Sequence, residues 1–121
     1  MRKSWMIAGL IVTGWLTSAL PSAAHSPLKS TSPDDGAVLT AAPSSIAMTF
    51  GKSARLTKVT LKHTSGRNAH SVRVPLALKK FQKSFELMPQ MRGAGDYQVD
   101  WRALSKDGHA IKGSFSFTIE E

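Results

Sequence analysis

Cysteine is absent from all 121 residues, so this chain has neither a disulfide staple nor thiolate metal chemistry at its disposal. Any metal it holds must be met by nitrogen, oxygen or thioether ligands. Acidic residues are scarce, 8 against 16 Lys+Arg. Long apolar runs are missing too: nothing after the first two dozen residues is apolar enough to cross a bilayer as a helix. There are no internal repeats.

What is present begins with a leader. Arg2 and Lys3, an apolar run over residues 5–16 and a small-residue tail ending Ser22-Ala23-Ala24 form a cleavable signal peptide over 1–24. The run is about a dozen residues, short of the roughly 20 that a spanning helix needs. Cleavage after Ala24 leaves 25–121, one small domain with room for a modest single core. Without Arg2 and Lys3 that domain carries 14 basic against 8 acidic residues, a formal charge of +6. Its cations are spread from Lys29 to Lys112, with one short cluster at Lys79, Lys80 and Lys83. Together with export, that spread excludes nucleic acid as a partner and reads as a solvated basic surface.

After residue 44 the apolar period is two. Ile46, Met48 and Phe50 alternate with Ala47 and Thr49, and Val59 and Leu61 with Thr60 and Lys62. Val72 and Val74 follow, then Phe85 and Leu87. The clearest run sets Tyr97, Val99, Trp101 and Ala103 against Asp96, Gln98, Asp100 and Arg102, and the last sets Phe115, Phe117 and Ile119 against Ser114, Ser116 and Thr118. Half-buried strands with one wet face are implied. Turn signals at 32–36, Ala42-Pro43, Ser65-Gly66, Met88-Pro89, 92–95 and Asp107-Gly108 separate them. About seven such strands predict an all-β, immunoglobulin-like Greek-key β-sandwich. Gly95-Asp96-Tyr97 resembles a tyrosine corner, which assigns Tyr97 a structural role.

Cleavage after Ala24 would give His25 a free α-amine. That amine and the imidazole Nδ1 of the same residue close a chelate ring at little ordering cost. The complement is "SKDGHAIKG" at 105–113, where Asp107 and His109 lie two apart at the junction of the last two strands. With His25 they make an amine, two imidazoles and a carboxylate, a set suited to one tetragonal Cu(II) ion. Taken alone, Asp107-Gly108 is the favoured pair of a type I′ hairpin turn, and a lone His109 is an exposed polar residue. Sequence spacing does not by itself bring the two ends of the chain together.

These motifs resemble the copper resistance protein CopC family. The resemblance rests on His25, Leu28, Thr31-Ser32-Pro33 and Phe50, then Gly95, Tyr97, Val99 and Trp101, then Ser105, Asp107, Gly108 and His109, then Gly113, Phe115 and Phe117. It covers nearly all of 25–121. It implies an immunoglobulin-like sandwich, a periplasmic role in copper homeostasis, Cu(II) bound by the residues matching His25, Asp107 and His109, and association with a CopD-type inner-membrane copper transporter. Two departures stand out. Fuller members carry a methionine-rich Cu(I) loop, whereas this domain has only Met48, Met88 and Met91. Many relatives also place a glutamate after the strand ending in Phe50, where this chain has Gly51 and Lys52. One Cu(II) site and no dedicated Cu(I) site are expected.

The resulting expectation is a monomeric, non-enzymatic carrier that buffers copper or passes it to the membrane transporter. Two other classes compete. A histidine-brace oxidative enzyme would need exposed aromatics for a polysaccharide, yet Tyr97 and Trp101 fall on an apolar strand face. A metal-free immunoglobulin-like interaction module would be indifferent to His25. His63 and His70, bracketing Ser65-Gly66, are read as exposed loop histidines rather than as an accessory metal pair.

Overall fold

The computed structural model describes residues 27–76, 80–91 and 93–120. The signal peptide and His25 lie outside the described residues, so both remain expectations. Seven strands make up the structure: β1 (Leu28–Ser32), β2 (Ala37–Leu39), β3 (Ile46–Ser65), β4 (Asn68–Arg73), β5 (Gln82–Leu87), β6 (Gly95–Ser105) and β7 (Ala110–Ile119). Among the described residues there is no helix.

β3 organises the molecule. Its first part pairs antiparallel with β1 and β5, through Thr31↔Met48 and Met48↔Phe85. Its second part pairs with β6 and β4, through Val59↔Trp101 and Leu61↔Val72. One strand therefore belongs to two layers, β1–β3–β5 and β4–β3–β6–β7–β2, and the curled sheet becomes a sandwich. The chain leaves one layer after β4, enters the other as β5 and returns as β6, which is Greek-key connectivity.

The core sits between the layers. Ile46, Met48 and Phe50 from one face Val99, Trp101, Phe115 and Phe117 from the other, all at most 4% exposed. The Phe50 ring meets Phe85 edge-on at 5.7 Å and Trp101 edge-on at 5.2 Å, joining the layers by geometry that aromatic quadrupoles favour. Tyr97 Oη donates to the Gly93 carbonyl at 2.7 Å, four residues back, so the expected tyrosine corner is present.

Three sequence readings change. The separate runs at 46–50 and 59–61 are one continuous strand, which runs on through Gly51–Ser53, where the register against β5 shifts, and around a bulge at Thr57. The Val72 strand is not half-buried: every β4 residue is exposed, Val72 at 58%, and only Val74 just beyond it enters the core. Two strands lack any alternation signal. β1 forms by pairing with β3, and three-residue β2 runs parallel to the edge of β7. Asp35 Oδ1 accepts from Ser116 N at 2.9 Å and Leu39 O from Glu120 N at 2.7 Å, which fastens that segment.

Candidate metal centre

The turn joining β6 to β7 is built by Gly108. The Ser105 carbonyl accepts from Gly108 N at 3.0 Å, and Ser105 N donates to the His109 carbonyl at 2.9 Å, closing a tight turn centred on Lys106 and Asp107. Gly108 has φ +90°, and among the described residues no non-glycine residue has positive φ. A type I′ turn needs positive φ at both central residues, so Asp107-Gly108 is not the type I′ pair expected from sequence. It is a three-residue loop with glycine at the left-handed position, which leaves Asp107 at the crest rather than within the ladder.

On that crest Asp107 and His109 meet. His109 Nδ1 lies 2.9 Å from Asp107 Oδ2, with the two side chains 79% and 66% exposed. Asp107 Oδ1 accepts from the Ser105 hydroxyl and from His109 N at 3.3 Å. The Ser105 hydroxyl also lies 3.1 Å from the His109 carbonyl and 3.2 Å from His109 N. Hydrogen bonds from Ser105 and then from His109, side chain and backbone, hold the Asp107 carboxyl far below the usual carboxylate range. With Nδ1 turned to that carboxylate, Nε2 is the ring nitrogen left outside the pair, an arrangement common among metal-binding histidines.

The structure thus brings together two of the three proposed ligands. Among the described residues no group of three or more His, Asp or Glu side chains converges on one point. Backbone register shows where the described chain begins. Gly51 N donates to the Pro27 carbonyl at 3.0 Å, and three residues further along β3 Ala54 pairs with Ser105, the first residue of the β6–β7 turn.

His63 and His70 face each other across β3 and β4 as the hairpin reading required, on a turn with Gly66 at φ +60°. His63, however, is not an exposed loop residue. Its ring stacks on Tyr97 with centroids 4.2 Å apart and its Nε2 lies 3.0 Å from the Ala94 carbonyl. Gly95 permits this, since a Cβ there would come within 2.8 Å of His63 Nε2. Met48 is fully buried, and Met88 is 75% exposed beside Pro89. Sequence reasoning missed Ser105 as the clamp on Asp107; the only signal was its place two residues ahead of the carboxylate.

Residues 28–120 match the CopC domain family model. Copper resistance protein C of Escherichia coli is 36% identical over 130 aligned positions, covering 99% of this chain and 98% of that protein. The crystal structure of PcoC, titled a methionine-rich copper resistance protein from Escherichia coli, superposes with a TM-score of 0.58 at 33% identity, over 79% of this chain and 99% of PcoC. That of CopC from Methylosinus trichosporium OB3b gives a TM-score of 0.59 at 25% identity, over 79% and 94%. A family match across the whole sandwich and full-length relatives above 30% identity agree that this chain belongs to the CopC family of copper resistance proteins.

Proposed function

We propose that the protein is a periplasmic Cu(II) carrier of copper homeostasis and resistance. It takes one ion per chain through the α-amine and Nδ1 of His25, the carboxylate of Asp107 and the imidazole of His109. It buffers the ion or surrenders it to a CopD-type inner-membrane transporter, and performs no reaction on it. Copper is cargo here, and ligand exchange at an exposed crest is the mechanism, with protons released on binding.

The observation that carries this reading is the Asp107–His109 pair, exposed on a crest and held by Ser105. Four lone-pair positions on a carboxylate leave Asp107 able to face a metal while accepting from Ser105 and His109. Sequence position supports the third ligand. His25 stands two residues ahead of Pro27, whose carbonyl accepts from Gly51 N, three residues along β3 from Ala54, the partner of Ser105.

The test is titration of the exported protein with Cu(II), its amino terminus fixed by mass spectrometry, followed by electron paramagnetic resonance. A variant with one residue inserted before His25 runs alongside. A single tetragonal, nitrogen-rich signal that is lost or altered in the insertion variant is expected. An identical signal and affinity in both proteins would overturn the amine chelate, and no stoichiometric binding would overturn the carrier reading.

A further inference from the structure

We propose that the outer face of the β3–β6–β7 layer is a docking surface for an acidic segment of a partner protein. Cross-strand register puts three cations in one row. Lys58 is paired with Arg102, and Arg102 with Lys112, so like charges stand directly opposite one another across three adjacent strands. Such pairs destabilise a sheet, and ordinary surfaces intersperse the two signs.

The one carboxylate nearby does not relieve the row. Asp100, one rung along, is 2.9 Å from Lys62 Nζ and accepts from Gln98 Nε2 at 2.7 Å. Burial acts to raise the Asp100 pKa, but the bonds from Gln98 and Lys62 outweigh it and hold the carboxyl below its ordinary value. Among the described residues, the ion pairs are Lys62–Asp100 and His109–Asp107, and neither involves Lys58, Arg102 or Lys112.

The row lines a shallow cleft of about 580 Å³ that also includes Thr60, Ser114 and the Lys62–Asp100 pair. Strands about 4.8 Å apart spread the three charges over roughly 10 Å, enough to meet successive carboxylates of one segment. Arg102 supplies a planar fork for a carboxylate, and the hydroxyls add directional bonds. A membrane surface suits this face less well. The large exposed apolar residues Val38, Val72, Phe81 and Met88 lie on β2, on β4 and beside β5, so nothing here would anchor in lipid.

Arg102 lies three residues before Ser105 on the same strand, about 10 Å from the Asp107–His109 turn. A partner seated on the row would therefore hold its own metal ligands beside that turn. This last consequence rests on the copper-carrier reading; the docking itself does not.

The test uses the purified protein without added copper and a fluorescein-labelled hexaglutamate peptide, read by anisotropy. Binding is expected to weaken about tenfold or more between about 20 and about 150 mM salt. The triple variant K58Q/R102Q/K112Q is expected to lose about tenfold in affinity, whereas K29Q/K80Q/K83Q, with the same loss of charge, changes it less than about twofold. Relief of repulsion should leave the first triple at least as heat-stable as the parent. Absence of peptide binding, or equal losses in the two triples, would overturn the assignment. So would stronger binding to phosphatidylglycerol vesicles that depends on the same row. Cu(II) titration should be the same for both triples and the parent, so failure of the carrier reading would leave the peptide result standing.

Discussion

Gly113 carries no side chain because Trp101 occupies the space one would need. A Cβ at that position would sit 2.6 Å from the indole Cζ2 and 2.9 Å from Cε2, and Phe50 packs edge-on against the same ring. Gly113→Ala is therefore expected to cost about 1–3 kcal/mol by urea unfolding, as overpacking does. Gly51→Ala meets nothing within 4 Å and should stay within about 0.5 kcal/mol of the parent. Equal effects of the two changes would mean that the indole has room to shift. Asp107 makes a pH prediction. Its lowered pKa means that it loses its charge only well below the ordinary carboxylate range, so as a copper ligand it would keep its charge across neutral and mildly acidic pH. Asp107→Asn should weaken copper binding about tenfold, by the same factor at about pH 5.5 and about pH 7.5. A factor that shrank in acid would show the parent carboxylate protonating in that interval.

At the scale of elements, β3 is the part on which both layers depend. Its buried residues run Ile46, Met48, Phe50, Ala54 and Leu56 on even numbers, then switch to Val59 and Leu61 on odd ones. The extra residue at Thr57, where the register against β6 shifts between Leu56 and Lys58, makes that switch. Deleting Thr57 would turn one half of the strand inside out, because side chains alternate with period two. The deletion should abolish the cooperative thermal transition, whereas Thr57→Ala, a change at an exposed position, should stay within about 0.5 kcal/mol. A deletion variant that melted like the parent would show that the bulge can migrate. The alternation on either side of Thr57 was legible; the bulge was not, since a skipped phase in sequence looks the same as the end of one strand and the start of another. The fully exposed β4 was misread for a related reason: Val72 and Val74 have the spacing of a strand face, but the β4 ladder ends at Arg73 and only Val74 turns inward.

For the molecule as a whole, one core shared by two layers implies a single cooperative unfolding unit. A ligand held between the amino-terminal segment and the β6–β7 turn would bind only the folded state. At free Cu(II) about a hundredfold above Kd, mass action adds about 2.7 kcal/mol, which for a domain of this size raises Tm by roughly 10 °C or more. Calorimetry of the exported protein with and without copper checks this, and an unchanged Tm would place any copper on sites that the unfolded chain offers equally.

The sequence by itself determined the class of the fold and the kinds of donor atom open to a metal. Period-two alternation in 97–103 and 115–119 requires strands with one buried face, and the absence of cysteine confines metal binding to nitrogen, oxygen and thioether donors. Asp107 and His109 were legible because a carboxylate and an imidazole two apart at a strand junction are chemically conspicuous. Tertiary structure decided what local pattern cannot carry. It continued β3 through two layers, recruited β1 and β2 by pairing alone, and drew His63 from an expected loop into a stack on Tyr97 beside Gly95. It also set Ser105 as the clamp on Asp107 and aligned Lys58, Arg102 and Lys112 in one row. Each of these depends on register between strands distant in sequence, and register is fixed only when the layers close on their common core.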